Sequence, residues 1–179
     1  MRLFACSGFK FQLSFQLPAC LRSRLSPILL MSAKATLCVI PSQVLRRRLQ
    51  SKGPWKIFVS VCNRPKIQAL NRKFLRKNTP TDVLSFARSE GRFTDPNHEI
   101  GDVILCAEVA WAQARERGVR LESEVCDLTA HGILHLFGYD HQTKKDRECM
   151  FRLQVRAHSR MAEMGSKRAA RDAGKRVLK

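Results

Sequence analysis

Residues 131–141, His-Gly-Ile-Leu-His-Leu-Phe-Gly-Tyr-Asp-His, constrain this chain more than any other segment. His131 and His135 are four residues apart, so on an α-helix they share one face with Cβ atoms about 5–6 Å apart. Gly138 permits a sharp, left-handed exit from that helix. Such a turn can carry His141 back beside the first two. Three imidazoles at this spacing suit one zinc at ~2.0–2.1 Å and leave a fourth position open, the arrangement of catalytic rather than structural sites. The expected ligands are therefore His131, His135 and His141, holding one Zn2+ per chain. His98 and His158 lack comparable spacing and read as surface residues.

The spacing matches the HExxHxxGxxH pattern of zinc proteases with one departure. The position of the glutamate base is Gly132, which offers no proton acceptor, so peptide hydrolysis by that route is disfavoured. Asp127, four residues before His131, either buttresses that face or points to solvent. Asp140 either orients the loop or makes a local turn bond. Thr81 and Asp82 read as turn-fixing residues, and Ser85 and Asp102 receive no proton-transfer role. Trp55, Phe58 and Trp111 read as core rather than as stacking platforms.

The remaining pattern alternates short strands and helices. Residues 36–40, 55–61, 83–86 and 101–106 have strand character. Helices are expected over 43–50, over 64–76 behind an Asn63 cap, over 107–117 closed by Gly118, over 124–137 behind a Ser123 cap, and over 144–164. Ser42 is the expected cap of the first, and Pro80 the expected stop of the second. Residues 52–54 read as a turn and 88–99 as a surface loop.

Charge is unevenly spread. The net charge is +18, yet residues 1–81 hold 16 basic and no acidic residues, 82–163 are near neutral, and 164–179 are basic again. This distribution favours a polyanionic partner, nucleic acid first. The 7 cysteines never form a CxxC pair, which excludes a cysteine zinc ribbon and fits a reducing compartment. Residues 1–31 read as a dispensable leader, either a transit segment or a start mis-assigned ahead of Met31. The domain is expected over 32–165 and a basic tail over 166–179. Cytoplasm is the expected compartment, with a mitochondrial or plastid matrix as the alternative if residues 1–30 are a transit peptide.

The histidine segment, the Pro80-Thr81-Asp82-Val83-Leu84-Ser85-Phe86 block, Leu70-Asn71-Arg72, and Gly101-Asp102-Val103-Ile104-Leu105-Cys106 resemble, in order and spacing, the YbeY endoribonucleases. The resemblance covers about residues 59–165. It implies a single-domain α+β, zincin-like fold, with a four-stranded mixed sheet packed with about five helices and His131 and His135 on a central helix. It also implies zinc and hydrolysis of single-stranded RNA, in maturation of the 3′ end of 16S-type small-subunit rRNA and in ribosome quality control. The partners implied are single-stranded RNA, rRNA and the small ribosomal subunit, with no membrane and no DNA. Many members carry arginine directly after an aromatic, five residues before the proline of the PTDVLSF block. Here Leu75 follows Phe74, and Arg76 comes next. One helical position is a rotation of about 100°. Arg76 is thus the candidate catalytic cation, its alternative being a solvated helix-end arginine. The rival readings are a zinc metallopeptidase-like hydrolase and a ribosome-associated RNA-binding factor with a mainly structural metal. Water and the RNA 2′-OH both remain open as nucleophile.

Overall fold

Alternating side chains build the sheet on which the histidine helix rests. Trp55, Ile57, Val59 and Val61 are buried along one face of their strand, as period-2 patterning requires. The computed structural model describes residues 2–6, 8–49, 54–89 and 96–177, with the backbone alone over 2–6 and 167–177. The elements, in chain order, are β1 (Arg2–Cys6), β2 (Phe9–Phe15), α1 (Ala19–Val39), α2 (Ser42–Arg48), β3 (Trp55–Cys62), α3 (Arg64–Leu75), β4 (Val83–Ala87), β5 (Glu99–Cys106), α4 (Ala107–Glu116), α5 (Leu121–Leu136) and α6 (Lys144–Val177).

The fold is α+β. A mixed sheet of four strands runs β2-β3-β5-β4, and β1 extends its β2 edge as a hairpin partner. β2, β3 and β5 are mutually parallel, while β4 returns antiparallel to β5. Parallel neighbours need crossover connections, which α1–α2 and α3 with β4 supply. The main core joins Phe11, Ile57, Val59, Ile100 and Val103 of the sheet to Leu25 and Leu29 of α1 and Ile133 and Leu134 of α5.

The expected four-stranded mixed sheet is present with β1 added as a fifth, edge strand, and the membership of the four differs from expectation. Residues 36–39 are the last turn of α1 and Ile40 is its extended C-cap, so the segment is not a strand. Leu25, Leu29, Ala33 and Leu37 continue one buried stripe at helical spacing, and that tertiary stripe outweighs the weak β propensity of Thr-Leu-Cys-Val-Ile. The hydroxyls that burial would orphan are satisfied: Thr36 Oγ1 donates to Ser32 O at 2.8 Å, and Ser32 Oγ donates to Cys126 O at 2.9 Å. The strand is instead Phe9–Phe15, where Phe9, Phe11 and Leu13 are buried. Residues of the expected leader therefore form a strand and half a helix that pack into the core.

Smaller departures have local causes. Neither Ser42 nor Ser123 caps a helix, because α2 and α5 begin behind Pro41 and Arg120. Asn63 does cap α3, its side chain accepting from Lys66 N at 3.1 Å. α3 ends before Pro80, at Arg76, which adopts a left-handed conformation (φ 58°). α6 continues past residue 164 to Val177, through the expected tail. Trp111 is exposed, with the Arg115 guanidinium 5.1 Å over its ring, rather than in the core. Residues 52–53 of the expected turn and 90–95 of the expected loop lie outside the described residues. Among the described residues no single helix is long and apolar enough to cross a membrane; the bent pair α1–α2 has the length and composition, but α1 spends its apolar face on the core.

Candidate metal centre

α5 carries two of the three histidines and fixes them by packing. Ile133 and Leu134 are fully buried between them in sequence. This leaves His131 and His135 together on the open face, their Nε2 atoms 3.0 Å apart. Gly132 faces the sheet. A Cβ there would stand 2.6 Å from Val103 Cγ1, 3.0 Å from Ser85 Oγ and 3.3 Å from Val83 Cγ2. Residue 132 is therefore a close-approach position, and a carboxylate would be driven into the sheet instead of toward the histidines.

The helix then stops as its sequence requires. Gly138 has φ 78°. Its N–H donates to His135 O at 2.9 Å, and Tyr139 N–H donates to Leu134 O at 3.1 Å, which is the Schellman pair of bonds that a left-handed glycine permits. His141 returns beside the other two, its ring centroid 5.6 Å from that of His131 and 5.2 Å from that of His135. One donor nitrogen from each ring lies within 4.8 Å of the others. Asp140 makes the local bond, accepting from His141 N–H at 2.8 Å.

The electrostatics suit a cation. Burial lowers the pKa of His131, a hydrogen bond with Gln154 works against this, and His141 lowers it further. Burial lowers that of His135, and His131 and His141 add to the effect. Neutral imidazoles with free lone pairs are what a metal needs. Three nitrogen donors fit zinc and similar borderline ions better than calcium or magnesium, which take oxygen. The exposed side of His141 leaves room for a further ligand.

The three histidines open on a cleft of about 810 Å³ between α5, β4 and the end of α2. Arg48 lines it, a residue that sequence reasoning passed over. The signal was present in the Arg46-Arg47-Arg48 run, but only the fold brings its last member across to Gly138. Leu75 lines the cleft too, whereas Arg76 is not among its lining residues. The left-handed turn at Arg76 sends the chain away, and Asn71 pins the returning loop by donating to Thr79 O at 2.7 Å. Asp82 fixes the start of β4, accepting from Val83 N at 2.7 Å and from Gln113 Nε2 at 3.0 Å. Asp127 does not buttress His131; it pairs with His158 Nδ1 at 2.9 Å. His98 lies apart, its ring edge-on to Trp55.

Residues 34–162 match the model of a protein family described as Endoribonuclease YbeY. An endoribonuclease YbeY of Buchnera aphidicola is 38% identical over 101 residues, covering 56% of this chain and 65% of that protein. One of Synechocystis is 49% identical over 83 residues, covering 42% of this chain and 46% of it. The chain thus spans less than two thirds of the length of either relative. The solution structure of TM1509 from Thermotoga maritima superposes with a TM-score of 0.57 at 24% identity, covering 88% of this chain and 93% of the other. That likeness bears on the fold alone.

Proposed function

The chain belongs to the Endoribonuclease YbeY family, and from this premise we propose that it is a zinc-dependent endoribonuclease that cuts single-stranded RNA. Its proposed substrate is the 3′ region of a 16S-type small-subunit rRNA precursor, met on the small ribosomal subunit during maturation and quality control. The observation that carries the reading is the convergence of His131, His135 and His141 at the mouth of one cleft, with one side open. A zinc ion bound there supplies a Lewis acid for a phosphodiester. The chain's own part is to hold three neutral imidazoles toward one point and to bring Arg48 to the cleft wall, where a guanidinium suits a phosphate. Arg76 stands further out, and its proposed part is with flanking phosphates rather than the scissile one. A peptidase reading is not favoured, since residue 132 faces the sheet. The chain's proposed location is the cytoplasm, the alternative being a mitochondrial or plastid matrix.

The test uses zinc-loaded protein on end-labelled single-stranded RNA, duplex RNA and casein, beside His135→Ala purified identically. Discrete cuts in the single strand alone, lost in the variant, are expected. Equal cutting by the variant would assign the activity to a contaminant and overturn the reading.

A further inference from the structure

The histidine cleft does not end at His131. On the other side of that residue a second cleft of about 720 Å³ opens between α4 and α6, with Asp127 and His131 of α5 among its lining residues. Asp82, Val83 and His131 border both clefts. Their charges differ. Arg48 lines the first together with Asp82 and Asp140, whereas Asp82, Glu116, Glu124 and Asp127 line the second, which is the more acidic. Its two basic side chains are paired with two of those acids, Arg117 with Glu124 at 2.7 Å and His158 with Asp127 at 2.9 Å, so neither is left over for a phosphate. A phosphate meets no uncommitted cation on such a wall, and meets the charge of Asp82 and Glu116 beside it, whereas an uncharged ring is not disfavoured. The α6 rim also offers a ring-shaped landing surface. Phe151 is 64% exposed there, and Val155, one turn on, is 49% exposed.

Resting on the RNA-cleaving reading above, we propose that this second cleft is a nucleobase subsite. A strand crossing His131 keeps its phosphates on the Arg48 side and stacks one unpaired base on Phe151. Stacking on an aromatic side chain is tolerant of base identity and is worth on the order of tenfold in affinity or more. It requires a base free of a pairing partner, so the subsite selects single strands.

The test is a coupling measurement. Single-stranded RNAs carrying one abasic position, stepped along the strand, are bound to the zinc-loaded protein. Binding is read by stopped-flow anisotropy before turnover, and cleavage is followed in the same samples. Wild type, Phe151→Ser and Phe151→Trp are compared, with melting temperatures measured to check folding. At one position beside the cut, base removal is expected to weaken wild type about tenfold and Phe151→Trp similarly, while leaving Phe151→Ser unchanged. Additive losses, or no sensitive position, overturn the proposal. Cleavage without the coupling removes the subsite and leaves the nuclease reading standing. Coupling without cleavage does the reverse. An arginine-rich peptide bound by wild type but not by Phe151→Ser, with RNA uncoupled, would assign the cleft to a protein partner instead.

Discussion

His131 and His135 present their Nε2 atoms to each other at 3.0 Å. Without an ion, one ring must donate to the other's lone pair. With an ion, both lone pairs turn to the same point, and His141 completes the set. The two arrangements differ by a tautomer: the donating ring's proton sits on Nε2 in the first and on Nδ1 in the second.

This relationship predicts that metal and fold are linked. Wild type should hold about one zinc per chain by elemental analysis. His135→Ala should hold on the order of a tenth of that and melt at a lower temperature, because one of three ligands is lost. Full occupancy in the variant would count against the site.

Gly132→Ala tests the approach of α5 to the sheet. In an open helix this change is stabilising by roughly 1 kcal/mol. Here the added carbon would stand 2.6 Å from Val103 Cγ1 on a fully buried β-branched side chain. Overpacking of that kind costs about 1–3 kcal/mol, so a net loss is expected in chemical denaturation. Gly132→Glu should lose more, and should gain no activity on casein. An unchanged midpoint for Gly132→Ala would show that the sheet yields.

Arg48 and Arg76 separate the cleft from its surroundings. Arg48 lines the histidine cleft and Arg76 does not. Arg48→Glu should therefore depress cleavage far more than binding, since a cation beside the reacting phosphate acts most on the transition state. Arg76→Glu should lower binding modestly and cleavage in parallel, with a shallower salt dependence of RNA affinity. The opposite pattern would return Arg76 to the reacting centre.

How much of this was legible in the sequence depends on the range of the interaction. The histidine site was, because His131, His135 and the Gly138 turn lie within one helix and its exit, where spacing alone sets geometry. So were β3, β4 and β5, whose alternation is local. The register of 9–15 as a strand was hidden by the even spread of Phe, Leu and Ser through the first 30 residues. Its partner, β3, lies some forty residues away and pairs Phe11 with Ile57. Arg48 was hidden for a similar reason: a charge run announces solvent, and only packing of α2 against the α5 exit turns one member inward. Phe151 was missed because one phenylalanine in a polar helix carries no periodic signal.

Two buried thiols give the pH dependence. Burial raises the pKa of Cys126 to about 11 from 9.0, and burial with neighbouring Cys106 raises that of Cys62 to about 11. Between pH 9 and 11 the unfolded thiols have released protons that the folded ones still hold. The contribution of these thiols should thus be constant below pH 9 and fall as pH rises toward 11, by on the order of 1 kcal/mol per pH unit for each thiol. Denaturation midpoints across that range should show the decline, and Cys126→Ala should flatten it relative to wild type. A decline of equal slope in Cys126→Ala would place its origin elsewhere.

Removing residues 1–30 should unfold the site from a distance. The deletion takes away β2, with Phe9, Phe11 and Leu13, and the first half of α1, with Leu25 and Leu29. It also removes the ion pair of Arg24 with Glu122 at the start of α5. Each of these buried side chains contributes about 1.5–3 kcal/mol, so five together match the whole stability of an ordinary domain. α5 would lose the helix that packs on it, and β3 would become an unpaired edge. A chain beginning at Met31 is expected to be insoluble, or to melt far below wild type and bind zinc poorly. A soluble Met31 protein with wild-type melting temperature and one zinc would show that β2 and the start of α1 lie on the domain without supporting it.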